Sequence, residues 1–439
     1  MISCKEFASV TKSKINKECK IENIKYDSRL CQEDSLFVAI DGENQKGSTF
    51  IASAIKNGAK AVLVDPSFKD CNKYKNTTFI INNDPHKALC EYASYKRNET
   101  NAKVVAITGS VGKTTTKEIL SSILSVNNKV VKTPGNYNSV FGMPLALIDI
   151  EKDSDFGVFE LGSDGPGQIK TMVDILKPDC SLLTNVGVSH SQNYLNQDEI
   201  AKEKGSIITS NPAFIAKNCK YFSYFNSLSD NVKSASDYLK FVKNNSILGS
   251  VVSLFDNEFN FPLLGEHNII NANLAIEAAI YLGSSESEIL TGLKNIASIP
   301  GRNNIIEKSN RYIIDDCYNA STDSIISAIT TLENIKWDNN KLVFLSDMKE
   351  LGSKSKAEHE KIAYKLLNSS CDNIYLYGDE IESTYNVLKR YNKECTYNKE
   401  FMPLANKVKN NSNSGDLLLL KGSRSMRMER FYSLLEAVW

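Results

Sequence analysis

Residues 102–124 read AKVVAITGSVGKTTTKEILSSIL and concentrate the side chains best suited to chemistry. Residues 104–107 form a short apolar run with the character of a buried strand. Gly109 and Gly112 follow, and the stretch opening at Lys113 carries Ile119, Leu120, Ile123 and Leu124 at helical spacing. Strand, glycine turn, Lys-Thr and helix are what a nucleotide polyphosphate requires. Backbone N–H groups of Gly109, Ser110, Val111, Gly112 and the first helical turn, Thr115 included, would face the anion. Lys113 would reach the β- and γ-phosphates, and the Thr114 hydroxyl would ligate Mg²⁺. This is the shorter T-G-S-x-G-K-T form; the longer pattern wants glycine at position 107, which is Ile.

Two further chemical side chains fall at predicted strand ends: Glu160 after a strand over 156–161, and His190 after one over 181–184. In an open α/β sheet the loops at the carboxyl ends of the strands line one crevice, so Thr114, Glu160 and His190 are expected to converge there as a Mg²⁺ shell. Read alone, Asp27-Ser28-Arg29 is a solvated turn and Lys202 and Lys204 are solvated lysines of a helix over 198–208. Asn136 and Asn138 beside Gly135 suit a turn, or amide recognition of a polar ligand. Farther on, Asp316, Asp347 and Lys421 stand at three strand ends and suggest a wall facing the nucleotide.

The elements that must position these groups alternate strand and helix throughout, so the fold class is α/β. Strands are expected at 35–40, 61–64 and 78–81, with a helix from Asp84-Pro85 to about 96. Residues 210–262 are weakly patterned short strands and turns, and Gly265-Glu266-His267-Asn268 precedes an Ala-rich helix over 271–282. After Pro300-Gly301, strands at 312–316, 341–346, 374–377 and 417–420 form a second doubly wound region. Three domains follow: 1–98, 99–299 with a mostly parallel sheet around the phosphate loop, and a Rossmann-like 300–439.

Lys+Arg and Asp+Glu are both 52 in 439 residues, which argues against a basic nucleic-acid surface. No apolar run has the length of a membrane span, and the amino terminus lacks the apolar core of a secretory signal. The ten cysteines are scattered without a Cys-x-x-Cys pair and read as reduced thiols of a cytosolic protein.

The segments ITGSVGKTTTKE, GNYNSVFGMPLALI, ELGSDGPGQI, TNVGVSH, GEHNIINANLAIEAA, GR, DDCYNAS, DMKELG and LKGSRSMRME occur in an order that resembles the muramyl peptide (Mur) ligases. The resemblance is greatest to the members that add D-alanyl-D-alanine to UDP-muramyl tripeptide. It implies a small UDP-substrate domain, a central ATPase and a mobile C-terminal domain. It further implies amide formation through an acyl phosphate, with ATP and Mg²⁺, in a cytoplasmic enzyme of peptidoglycan precursor synthesis. By that likeness Lys113 and its loop hold phosphates, and Thr114 and Glu160 ligate one Mg²⁺. His190 with Glu160 holds a second, joined by a carbamylated lysine best matched by Lys204, with Lys202 the alternative. Asn268 approaches adenine, Arg302 the phosphates, and Asp316 the ribose with Tyr318 and Asn319 nearby. Lys421 and Arg424 help bind substrate, Ser28 and Arg29 sit with the UDP-sugar, and Asn136 and Asn138 with the muramyl peptide. The family's acidic-Gly-His signature is Lys46-Gly47-Ser48 here, its Asn-Ala-Asn-Pro is Asn319-Ala320-Ser321-Thr322, and its Gly-Asp-Met is Ser346-Asp347-Met348. The Glu usually two residues after the carbamylated lysine is Ser206. A ligase adding a single amino acid and folylpolyglutamate synthase share the loop and metal residues. No Asp-Asn-Pro-Arg motif of the diaminopimelate-adding enzyme is found. A catalytically silent nucleotide-binding module would need the loop but not Glu160, His190 and Lys204 together. A monomer is the default expectation.

Overall fold

The computed structural model describes residues 1–42, 45–188 and 191–436. The chain forms two compact units. Unit 1 takes the described residues of 1–104 together with 129–161 and 168–178; unit 2 takes 105–128, 162–167 and the described residues from Asp179 onward. His190 lies outside the described residues. No helix among the described residues is long and apolar enough to cross a membrane.

Unit 1 is built on a five-stranded sheet in the order Lys14–Ile15, Thr78–Ile81, Ala59–Val64, Ser35–Val38, Asn23–Lys25. Only the first pairing is antiparallel. The inner strands are buried on both faces, which is why they read as unbroken apolar runs. Asp84 caps the helix Pro85–Asn98 by accepting from the Lys87 N–H. The same unit holds Phe156–Glu160 paired parallel to Val130–Lys132.

In unit 2 the parallel strands run Val232–Ser234, Ala213–Ile215, Cys180–Leu183 and then Lys103–Thr108, which enters from unit 1. The helix Lys113–Leu124 follows the phosphate loop and buries the predicted Ile119, Leu120, Ile123 and Leu124. Helix Glu286–Lys294 crosses it at Gly292, where an added Cβ would lie 2.4 Å from the Ile123 Cα. The weak pattern after residue 210 resolves partly into an antiparallel meander, Lys240–Asn244, Ser250–Leu254 and Asn257–Phe261. Its first strand is exposed along its whole length, so burial left no alternation to read there.

The long helix runs Glu266–Tyr281 and begins before the expected 271. Gly265, at φ +87°, precedes it, and Glu266-His267-Asn268 form its first turn rather than a lead-in. His267 and Asn268, polar and weakly helix-forming, hid that start. The C-terminal sheet runs Asn304–Lys308, Arg311–Asp316, Leu417–Lys421, Lys341–Ser346, Asn373–Tyr377, Thr396–Asn398. Only its first pair is antiparallel. Ile314, Val343, Leu345 and Leu419 face one core while Ile313, Leu342, Phe344 and Leu418 face another, as a sheet covered on both sides requires. The two outermost strands are only half-buried and were not legible as strands.

Candidate active site

The phosphate loop is shaped by close backbone approaches. Gly109 has φ +150° and Gly112 φ +85°. A Cβ on Gly109 would stand 1.8 Å from Thr184 Oγ1, and one on Gly112 2.5 Å from Asn271 Oδ1. Neighbouring segments clamp the loop. Ser110 N–H donates to Asn185 O (3.0 Å) and Val111 N–H to Asn185 Oδ1 (3.0 Å). Thr184 Oγ1 donates to Val111 O (2.6 Å), and Ser110 Oγ accepts from Gly187 N–H (2.8 Å). Lys113 folds back over the loop, its Nζ 2.8 Å from Gly109 O and 3.3 Å from Ser110 O. Thr114 and Thr115 lie in the first turn of the following helix. Thr184, Asn185 and Asn271 received no individual role from the sequence, although all three lie in the TNVGVSH and GEHNIIN segments. Gly109→Ala is expected to force the loop off Thr184 and to weaken ATP binding at least about tenfold, since backbone strain and clash together cost a few kcal/mol. Titration with a fluorescent ATP analogue measures it.

Lys204 and Lys202 part company in the structure. Lys202 is exposed, whereas Lys204, in helix Gln197–Gly205, is buried. Burial, and then the nearby Lys113 charge, push the Lys204 amine down to about 7 against the opposing pull of Glu203. Glu203 is itself buried and accepts from the Gly167 N–H at 2.6 Å. An uncharged amine beside a phosphate loop is a nucleophile toward carbon dioxide and, once carbamylated, an oxygen ligand for a hard cation.

A cavity of about 130 Å³ within unit 2 brings together Val111, Gly112, Thr115, Asn268, Arg302, Asp316 and Lys421. Asn268 is committed within the helix start: its amide donates to Leu264 O (2.8 Å) and accepts from Asn271 (3.1 Å). Arg302 stacks its guanidinium on the Tyr318 ring, 4.3 Å from the centroid, while its Nε is buried without a hydrogen-bond partner among the described residues. Lys421, almost wholly buried, donates to Asp316 Oδ2 (2.6 Å) and to Asn319 O (3.0 Å). Asn319 itself is exposed, its side chain accepting from the Ala320 N–H. Arg424 is exposed and paired with Glu429 at 3.0 Å.

Two residues the sequence reading passed over organise this wall. Asp315 Oδ2 accepts from the Gly301 N–H at 3.0 Å and so fixes the turn, at φ +71°, that presents Arg302. His267 is buried, and burial pushes it down to about 4, with Asp316 opposing and Lys421 adding. The neutral ring accepts from Asn303 at Nε2 (3.2 Å) and donates from Nδ1 to Ser327 Oγ (2.8 Å). The loop whose glycines leave no room for a Cβ, the lysine over it and the buried Arg302 Nε, without a partner among the described residues, together fit a nucleotide polyphosphate.

In unit 1, Glu160 is buried and its carboxylate accepts from the Asn138 amide at 2.7 Å, while its N–H donates to Thr133 Oγ1. An amide that orients a buried carboxylate is a common outer partner of a metal ligand. Asn136 is exposed in the preceding turn. Ser28 is buried and Arg29 is exposed, its guanidinium donating to both carboxylate oxygens of Asp27. That guanidinium, foremost, holds the Asp27 carboxyl below its usual range.

The chain matches three family descriptions: Mur ligase family, catalytic domain, over residues 20–97; Mur ligase middle domain over 107–279; and Mur ligase, glutamate ligase domain, over 301–424. It is 30% identical to the UDP-N-acetylmuramoyl-tripeptide--D-alanyl-D-alanine ligase of Bacillus subtilis, over 93% of this chain and 92% of that one. Among solved structures it is similar to MurF from Acinetobacter baumannii, with a TM-score of 0.85, 25% identity and 98% of each chain covered. It is also similar to MurF ligase from Thermotoga maritima in complex with ADP, with a TM-score of 0.80, 26% identity and 94% and 97% covered.

Proposed function

The chain belongs to the Mur ligase family, and from that footing we propose that it joins D-alanyl-D-alanine to UDP-N-acetylmuramoyl-tripeptide at the expense of ATP, in peptidoglycan precursor synthesis. Likeness over nearly the whole chain to a relative bearing that name carries the choice of substrates. The phosphate loop with Lys113 and Arg302 on one cavity wall supports the use of ATP. We divide the chain into a UDP-substrate domain, 1–98, an ATP-binding ligase domain, 99–299, and a C-terminal domain, 300–439. The protein acts as a cytoplasmic monomer.

A peptide carboxylate is a poor electrophile, and phosphorylation by ATP turns it into one that an amine can attack. The chain's share is positioning and charge stabilisation. Lys113 and the loop amides meet the phosphates, with Gly109 to Thr115 lining them, and Arg302 adds a cation. Asn268 and Asp316 lie toward the nucleoside, with Tyr318 supporting Arg302 and Asn319 near the ribose end. Thr114 would supply a Mg²⁺ ligand, Glu160, steadied by Asn138, would supply a carboxylate, and His190 and carbamylated Lys204 would be further ligands. Bound Mg²⁺ would neutralise charge on the transferring phosphoryl group. Ser28 and Arg29 contact the UDP-sugar, Asn136 and Asn138 the muramyl peptide, and Lys421 and Arg424 the incoming substrate.

Phosphate release with ATP and Mg²⁺ tests the assignment. UDP-muramyl tripeptide with D-alanyl-D-alanine is expected to give a pentapeptide product. Release only with UDP-muramyl dipeptide and a single amino acid would move the chain to another branch of the family. No release with either pair would leave a silent nucleotide-binding module.

The Lys204 role has its own signature. Carbamylation needs the neutral amine, so the carbamate is expected to increase as pH rises through about 7. In protein equilibrated with ¹³C-bicarbonate, one carbamate resonance should appear and be lost in Lys204→Met. A resonance that survives the substitution excludes Lys204. The depressed amine is also linked to stability. Between pH 7 and the ordinary lysine range the unfolded chain holds a proton that the folded chain lacks, so this lysine's contribution increases with pH across that window and Lys204→Met abolishes the increase.

A further inference from the structure

Outside the ligase machinery, unit 1 brings together two cysteines that the sequence separates by fourteen residues. The amino terminus makes a short antiparallel ladder in which Ile2 faces Ile21 and Ser3 faces Lys20. The next facing positions are Cys4 and Cys19, and the Cys4 N–H continues the ladder by donating to Cys19 O at 3.0 Å. Their Sγ atoms are 3.2 Å apart. Facing residues of an antiparallel pair have Cα atoms about 4.5–5.5 Å apart, within the span of roughly 4.4–6.8 Å that a disulfide bridges. Bond formation therefore asks for side-chain rotation and not for backbone movement.

We propose that Cys4 and Cys19 form a reversible dithiol–disulfide pair, a site of oxidation by small disulfides that staples the amino-terminal strand and helix to unit 1. The two thiols differ in access. Cys4 is wholly buried at the start of helix Cys4–Val10, while Cys19 is partly exposed, so the reagent meets Cys19 first. The Cys19 thiolate attacks one sulfur of the reagent RSSR, forming a mixed disulfide and expelling RS⁻. The Cys4 thiolate then attacks the Cys19 sulfur, forming the Cys4–Cys19 bond and expelling a second RS⁻. The two thiol protons end on the two RS⁻ groups, so the chain loses two electrons and two protons and RSSR becomes two RSH. Burial holds the Cys4 thiol in its protonated form, which protects the reduced pair from casual oxidation until Cys19 is modified.

The staple would act on a segment already docked by packing. Phe7 of the same helix meets Tyr92 with ring centroids 4.6 Å apart, and Tyr92 Oη donates to Glu6 at 3.1 Å. Oxidation closes a covalent loop over residues 4–19, which carries Glu6 and Phe7, and removes conformations from the unfolded chain, so the oxidised form melts higher.

The full chain, incubated in native buffer with cystamine, freed of the reagent and unfolded without reductant, gives the test, one portion being weighed and titrated as it is and another alkylated before digestion. The expected product is lighter by two hydrogens with no reagent attached, and its titratable thiols fall by two from ten. Trypsin should release Met1–Lys5 joined to Glu18–Lys20, a species that dithiothreitol abolishes. Cys4→Ser should instead retain one cystamine half at Cys19. The proposal is overturned if wild-type protein keeps the reagent at Cys19 as a stable mixed disulfide, or if both cysteines stay alkylatable. Because the decisive reading comes from the wild-type chain, poor folding of the variant does not blunt it.

Discussion

Lys113→Ala is expected to slow ATP-dependent phosphate release by at least about 10²–10³-fold, the range seen when one donor aimed at developing charge is removed. The folded chain should hardly notice. In the structure the ammonium donates to two carbonyls of its own loop, Gly109 O and Ser110 O. Losing the bonds to these two carbonyls forfeits about 1–3 kcal/mol at most. Thermal unfolding followed by circular dichroism should therefore stay close to wild type while turnover collapses. A second readout distinguishes loss of charge from loss of packing. Lys113 helps hold the Lys204 amine down at about 7, so the alanine variant should move Lys204 titration upward and shift carbamate formation to higher pH. Turnover retained within a fewfold of wild type would remove Lys113 from the phosphate site.

The largest effect on stability is expected at Lys421. Its ammonium is almost wholly buried and lies 2.6 Å from Asp316 Oδ2. Lys421→Met keeps the volume but strands a buried carboxylate, which typically costs about 3–5 kcal/mol. The paired replacement Asp316→Leu with Lys421→Met should recover most of that loss, because two apolar groups of similar shape restore a satisfied interior. Urea unfolding monitored through Trp337, whose indole donates to Gly415 O in the same C-terminal region, reports on both variants. Equal destabilisation by the single and the double variant would mean that packing, and not the ion pair, sets the stability here. Phosphate release is expected to be lost in the double variant even where folding is restored, since both side chains line the cavity that also holds Gly112 and Arg302.

What the sequence revealed follows from how strongly each feature is imprinted locally. The phosphate loop was legible because glycine is the residue that tolerates both φ +85° at position 112 and the approach of Asn271 there. The core strands of the C-terminal sheet were legible as apolar runs, and its half-buried outer strands were not. Lys204 and Lys202 could not be separated by type or spacing, because burial of one and exposure of the other depend on what the helix packs against. Asp315 escaped notice for a similar reason. Its neighbour Asp316 has the same chemistry, and only the tertiary contact with the Gly301 N–H gives it a distinct task. The pairing of Cys4 with Cys19 rests on strand register, which no count of cysteines supplies.

The division of the chain has a consequence for how it is made. Unit 1 is discontinuous: it takes the amino-terminal segment up to Val104, but also 129–161 and 168–178, with pieces of unit 2 threaded between them. A ribosome that has delivered the chain as far as Val104 has therefore not delivered all of unit 1. Helix Pro85–Asn98 must wait for helices Gly142–Ile148 and Gln168–Leu176, both of which belong to the same unit. During that interval apolar surface on the nascent chain is open to chaperones and proteases. Truncation after residue 104 should yield a fragment cleaved far faster than the same residues in the full chain, and unit 1 closes only once residue 178 has emerged.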